Sequence, residues 1–224
     1  MNFLSCMKKF KRSTEIDLPT HGLVVFGGRP GMGLTKGSLK VAAMHSLKRQ
    51  GTFISFQSTK PIIQKRLASI RHFKPEILEV NVEFPWYYRS IVQDLRPLAR
   101  EKEFLVIDDL DAFLGEQWYI SLDERNQLIH DLRELAIEEF CCIVLNCKVS
   151  KTAELQSGFK IPRLQDFHWS RNLIHEADQV YAIHRPAYYG IIMDEEGRPI
   201  PDELHWWCLK GIDTVKNRKE SNRK

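Results

Sequence analysis

The sequence predicts an α/β fold: one domain on a mainly parallel, twisted sheet with helices on both faces. Three observations carry this. Short apolar, β-branched runs alternate with segments of helical periodicity, the first run ends in a glycine-rich turn that opens a helix, and no internal repeat interrupts the pattern.

The elements follow in order. Leu23-Val24-Val25-Phe26 reads as a buried strand, stopped by glycines. From Thr35 to Arg49, Leu39, Ala42, Ala43, Met44 and Leu47 recur at helical spacing. Thr52–Phe56 is a second strand and Ile62–Phe73 a helix with a basic outer face, followed by a short strand within Glu79–Phe84. Tyr87–Arg100 is helical in period and expected to break near Pro97. Phe104–Ile107 is a central strand that runs into an acidic cluster. Ser121–Glu139 is the strongest helix, with Leu122, Leu128, Ile129, Leu132, Leu135 and Ala136 on one side. Cys141–Leu145 is another buried strand, 146–172 a polar and aromatic connector, and Val180–Ile183 and His205–Leu209 are late strands around a turn at Asp194–Pro201.

Composition narrows the class. A chain of 224 residues, 43% hydrophobic and 28% charged, is too apolar for wholesale disorder and lacks collagen or coiled-coil periodicity. No apolar run approaches the roughly 18–20 residues of a membrane helix. Met1–Arg12 lacks the apolar stretch of a secretion signal. Cys6, Cys141, Cys142, Cys147 and Cys208 are odd in number and scattered, so a reducing cytoplasm is expected rather than a disulfide framework. The net charge of +4 is uneven. Lys8, Lys9, Lys11 and Arg12 open the chain, Lys216, Arg218, Lys219, Arg223 and Lys224 close it, and the middle is net acidic. The organisation expected is a basic N-terminal tail or linker (1–20), one domain (21–212) and a basic C-terminal tail (213–224).

Gly28-Arg29-Pro30-Gly31-Met32-Gly33-Leu34-Thr35 fits the phosphate-binding pattern G-x-x-x-x-G-K-[ST] at every fixed position but one. Gly28 and Gly33 are expected to supply torsions that turn consecutive N–H groups toward a phosphate. The helix N-terminus adds donors and dipole, and Thr35 a hydroxyl for magnesium. The exception is the lysine, which here is Leu34. Lys36 does not simply replace it, because two helical residues turn its side chain by roughly 200°. A tight glycine turn without ligand remains the alternative for present use.

The string Gly27–Gly33, then Thr35, resembles the Walker A loop of DnaB-type replicative helicases, whose core is a RecA-like ATPase. Phe53–Gln57 resembles the family's second strand, which ends in a catalytic Glu, and Phe104–Asp108 its Walker B strand. Leu164-Gln165-Asp166, Asn172–Asp178 and His184–Tyr189 resemble its approach to a late strand, so the likeness runs from about Leu23 to Lys210. It implies a RecA-like P-loop fold, ATP or ADP with magnesium at Thr35 and Asp108, single-stranded DNA as a partner, and docking on a replicative helicase or on copies of itself in a ring.

The departures fall on the chemistry. The family lysine is Leu34, the catalytic Glu falls on Gln57, and the sensor-like Gln falls near Asn146. The Lys-x-Arg that reaches a neighbour's nucleotide falls on Lys210 and Ile212. Loss of the phosphate clamp, of water activation and of the trans arginine predicts weak or lost nucleotide binding and little or no hydrolysis, as in a scaffold or regulator of DNA replication or repair. The alternative is an active DNA-dependent ATPase or translocase in which Asp109, directly after Asp108, activates the water. On that reading Gln57, Asp108 and Asp109 are the catalytic candidates.

In the connector, Lys148, Lys151, Lys160, Arg163 and Arg171 are interleaved with Phe159, Phe167 and Trp169, a mix that suits single-stranded nucleic acid or an ordinary surface. Trp206 and Trp207 should point to opposite sheet faces, one into the core and one toward a subunit interface. Tyr188 and Tyr189 read as a packed turn, with base stacking as the alternative that the family resemblance invites. No histidine or cysteine spacing indicates a metal site of its own.

Overall fold

Along the chain the elements are β1 (Lys11–Ser13), β2 (Gly22–Gly28), α1 (Leu34–Ser46), β3 (Gly51–Ser55), α2 (Lys60–Ala68), β4 (Glu79–Asn81), α3 (Ile91–Glu101), β5 (Phe104–Asp108), α4 (Leu122–Glu138), β6 (Cys142–Lys148), α5 (Arg171–Glu176), β7 (Gln179–His184) and β8 (His205–Lys210). The structure, a computed structural model, describes residues 11–13, 16–70, 73–82, 88–109, 112, 120–155, 160–167, 171–193, 197–200 and 202–211. The strands form one eight-stranded sheet in the order β1-β8-β7-β2-β6-β5-β3-β4. All neighbours from β7 through β4 are parallel, and β8 is antiparallel to both β7 and β1.

Alternate residues of the central strands serve two separate cores, as the period of two requires. Leu23, Val25, Leu105, Ile107, Ile143, Leu145, Val180 and Ala182 face α3 and α4, where Ile91, Leu95, Leu128, Ile129 and Leu132 are buried. Val24, Phe26, Phe53, Phe104, Val106, Val144 and Ile183 face α1 and α2, against Leu39, Ala42, Ala43, Ile63 and Leu67. Each such apolar side chain contributes about 1.5–3 kcal/mol when fully buried. The same parity puts Ser55, Asp108, Asn146 and Lys148, at the carboxyl ends of β3, β5 and β6, on the α1 side.

Several sequence expectations need correction. Pro97 lies inside α3 without breaking it. Buried Ile91, Leu95 and Ala99 hold the helix in place, as do ion pairs from Arg96 and Arg100 to Glu138 and Glu139. Packing here outweighs the hydrogen bond that proline removes. Met44 and Leu47, which recur at helical spacing with Leu39, and Leu122, grouped on the apolar side of its helix, are exposed. α2 starts at Lys60 and ends at Ala68, earlier than its apolar pattern suggested. α4 begins as its sequence indicates, with Ser121 as N-cap in a reciprocal capping box with Glu124.

The stretch assigned to a tail or linker (1–20) contributes structure of its own. Lys11–Ser13 pairs with β8, and Ile16 and Leu18 are buried. His45 bonds the Ile16 carbonyl at 2.9 Å, and Arg49 donates to the Leu18 and Pro19 carbonyls. Trp206 and Trp207 are both buried within the chain itself, so Trp207 presents no exposed ring for a subunit interface.

Gly37, in α1, marks where the helix closes on the sheet. A Cβ there would stand 2.7 Å from Ile183 Cδ1 and 2.8 Å from Trp206 Cζ2. Alanine for glycine ordinarily strengthens a helix by about 1 kcal/mol. Here Gly37→Ala is expected to destabilise by about 1–3 kcal/mol in urea unfolding, as overpacking does. A gain in stability would show that α1 does not approach the sheet this closely.

Candidate nucleotide-binding site

The carboxyl ends of β2, β3, β5 and β6 meet the N-terminus of α1, where ligands of open parallel sheets bind. The turn after β2 is closed by Met32 N–H donating to the Arg29 carbonyl at 3.1 Å. Gly31 and Gly33 have φ of +85° and +86°, and Gly33 is the N-cap of α1. Only glycine adopts such torsions without strain. The first-turn amides of α1 have no intrahelical acceptor and point at the turn. Gly28, expected to supply a special torsion, instead supplies space: a Cβ would stand 2.5 Å from Ile183 Cγ2.

A cavity of about 440 Å³ opens over this turn. Seven of the eight predicted loop residues line it, namely Gly28, Arg29, Pro30, Gly31, Gly33, Leu34 and Thr35. The eighth, Met32, is fully buried and anchors the loop in the α1-side core. Gln57, Asp108 and Asp109, the catalytic candidates, also line the cavity. Arg66 and Ser69, at the end of α2, and Lys36 complete the wall together with Asn146, Cys147 and Lys148.

Asp108 is the centre of the hydrogen bonding. Its Oδ1 accepts from Thr35 Oγ1 at 3.1 Å and Asn146 Nδ2 at 2.7 Å, and its Oδ2 from Ser55 Oγ at 3.3 Å. Asn146 Nδ2 also reaches Ser38 Oγ in α1 at 2.7 Å. Asn146 Oδ1 is buried and has no hydrogen-bond partner among the described residues. Burial pushes the Asp108 carboxyl above its ordinary pKa, Asn146 and Thr35 pull it back, and Asp109 adds to the rise. Magnesium takes oxygen donors, and the Thr35 hydroxyl and Asp108 carboxylate fit it, beside the orphaned Asn146 amide oxygen. Bound there, magnesium would supply positive charge to phosphate oxygens. The turn amides fit a polyphosphate, whereas position 34 offers no cation.

The charged groups have specific assignments. Leu34 packs on the α1-side core, beside Gly28. Arg29 is drawn away from the cavity, donating to Glu154 at 2.8 Å and to the Val149 carbonyl at 2.8 Å. Asp109 has φ of 60°, and its Oδ1 accepts from Ala112 N–H at 2.9 Å and pairs with Lys148 Nζ at 3.0 Å. Gln57 is exposed at the bend after β3, and Lys36 is exposed at the rim.

The residues read as nucleic-acid candidates are dispersed over several elements. Lys148 belongs to β6 and to the cavity rather than to the connector, because β6 runs farther than its apolar stretch. Lys151 is exposed in a short turn, Lys151–Leu155. Lys160 sits over the Tyr189 ring at 5.2 Å, Arg163 is exposed, and Arg171 opens α5. Phe167 is buried, while Phe159, Trp169 and Ile212 lie outside the described residues. Lys210, aligned with the lysine that reaches a neighbour's nucleotide, caps α5 by donating to the Ile174 and His175 carbonyls at 2.7 and 2.9 Å. In the packed turn, Tyr189 stacks on His184, and Tyr188 is exposed beside Gly31. Arg66, Ser69, Ser55 and Ser38 were missed by the sequence reading. Strand parity at the carboxyl ends would have found Ser55.

With this geometry in place, comparison with solved structures is decisive for the fold. A structure described as an ATPase domain superposes with a TM-score of 0.67 at 17% identity, over 87% of this chain and 78% of that one. A DnaB-like replicative helicase, solved for its interactions with primase, superposes with a TM-score of 0.66 at 19% identity over 87% of this chain. The fold is the RecA-like P-loop fold of DnaB-like helicase ATPase domains. The chain spans 53% of that DnaB-like helicase. No protein-family model matches the chain, and no curated protein matches it. Among the described residues, no helix is long and apolar enough to cross a membrane.

Because its folded pKa lies above its unfolded one, ionised Asp108 is a load on the fold. Its contribution is most favourable below the unfolded value and is lost as pH rises through the folded value. At neutral pH the nucleotide-free Asp108→Asn variant is expected to melt about 2–4 °C higher per kcal/mol recovered. Its magnesium-dependent shift with nucleotide should vanish. A lower melting temperature would mean that the three hydrogen bonds outweigh the desolvation.

Proposed function

We propose that this domain holds a magnesium–adenine nucleotide without rapid hydrolysis and serves as a scaffold or regulator in DNA replication or repair. It would dock on DnaB-like helicase subunits, on copies of itself or on single-stranded DNA. The observation that carries this reading is the intact Thr35–Asp108 contact at 3.1 Å beside an apolar, half-buried Leu34 packed against the core. Polyphosphate recognition by backbone and metal is thereby supported, but the loop itself carries no fixed cation for the reacting phosphate. Gln57 orients water and cannot take its proton, and the Asp109 carboxylate is engaged by Lys148 and by Ala112 N–H. Lys151, Lys160, Arg163 and Arg171 are the proposed contacts for single-stranded DNA.

The second reading, an active DNA-dependent ATPase, draws on Asp109 lining the cavity directly after Asp108. The two readings part on binding and turnover by the natural chain beside Leu34→Lys. A restored charged contact is worth about 1.5–3 kcal/mol, so Leu34→Lys should tighten magnesium–ATP by about tenfold to a hundredfold. Turnover should stay far below helicase rates in both proteins. Rapid hydrolysis by the natural chain, stimulated by single-stranded DNA and abolished by Asp109→Asn or Thr35→Ala, would reject the preferred reading.

A further inference from the structure

We propose that Lys148 is the phosphate-binding cation of this cavity, brought in from strand β6 to do what Leu34 cannot. The inference rests on the reading of the cavity as a nucleotide site and assigns its missing charge. Lys148 is the register partner of Gly28, the residue from which the loop departs. It stands two residues beyond Asn146 on the same strand, so both side chains project to the α1 side, and Asn146 already reaches Asp108 there. The Lys148 ammonium lies 3.0 Å from Asp109 Oδ1, next to the carboxylate that contacts Thr35. A charge at this point enters from the neighbouring strand, not from the helix that carries Leu34.

Of the two partners in that ion pair, the lysine is the one able to move. Asp109 is held by its left-handed backbone and by Ala112 N–H, and its side chain is 11% exposed. The Lys148 side chain is 41% exposed, on a flexible four-carbon stem. A partly solvated pair of this kind leaves the ammonium room to shift. An ammonium has three N–H donors, so Lys148 can keep Asp109 and still donate to an oxygen of a triphosphate seated on the turn. The other basic groups of the wall are less suited: Arg29 is engaged by Glu154 and Val149, and Lys36 and Arg66 are exposed, Arg66 in the last turn of α2.

Calorimetric titration of the full chain with ATP, ADP and AMP, each with magnesium, tests this. The natural protein should bind ATP more tightly than AMP. Lys148→Ala and Lys148→Gln, the second keeping most of the stem, should each weaken ATP about tenfold or more and leave AMP within about threefold. Lys148→Arg should recover most of the loss. Lys40→Ala, an equal charge change on the exposed side of α1, should leave ATP binding within about threefold of the natural protein. A natural chain that favours ATP together with unaltered ATP binding by both neutral variants would overturn the role of Lys148 and leave the nucleotide reading standing. A natural chain that binds no ATP, or ATP no better than AMP, would overturn both.

Discussion

A buried carboxylate joins the separate parts of this molecule. Asp108, at the end of β5, is bonded by Thr35 from the first turn of α1, by Asn146 from β6 and by Ser55 from β3. Three strand ends and one helix start are thereby fixed around a single desolvated charge. The fold bears that charge at a cost, because burial pushes the Asp108 carboxyl above its ordinary pKa. On the proposed function, a bound cation would offset that charge.

On the proposed function, the cavity around this centre has an incomplete inventory for phosphoryl chemistry. The glycine turn and helix start would receive phosphates through backbone amides, which do not depend on the side chain at position 34. Reaction rate depends on charge placed where charge develops, and there the side chains matter. Leu34 is apolar, Gln57 cannot act as a base, and Asp109 is already in an ion pair with Lys148. Binding and turnover are thus separable, and a module that retains nucleotide can respond to its presence without consuming it.

Much of this was legible in the sequence because it is local. The glycine turn between an apolar run and a helical period identified both β2 and α1, and Thr35 and Asp108 followed from the same short strings. What was not legible depends on distant contacts. β1 is Lys-Arg-Ser, with no apolar pattern, and exists only because β8 offers it an edge. Pro97 signals a break that the packing of Ile91, Leu95 and Ala99 prevents. Lys148 resembled the basic connector residues that follow it, and only its register opposite Gly28 reveals its place in the cavity. Arg66 belongs to the cavity through the packing of α2, which no spacing in the chain discloses.

The central claim is that this cavity retains magnesium–ATP intact. Phosphorus NMR of magnesium–ATP with an equal amount of the natural protein tests it directly. The expected result is a set of β- and γ-phosphate resonances shifted or broadened by binding, persisting for hours with little inorganic phosphate. Unperturbed resonances would contradict nucleotide binding, and rapid growth of the inorganic phosphate signal would contradict the absence of fast turnover.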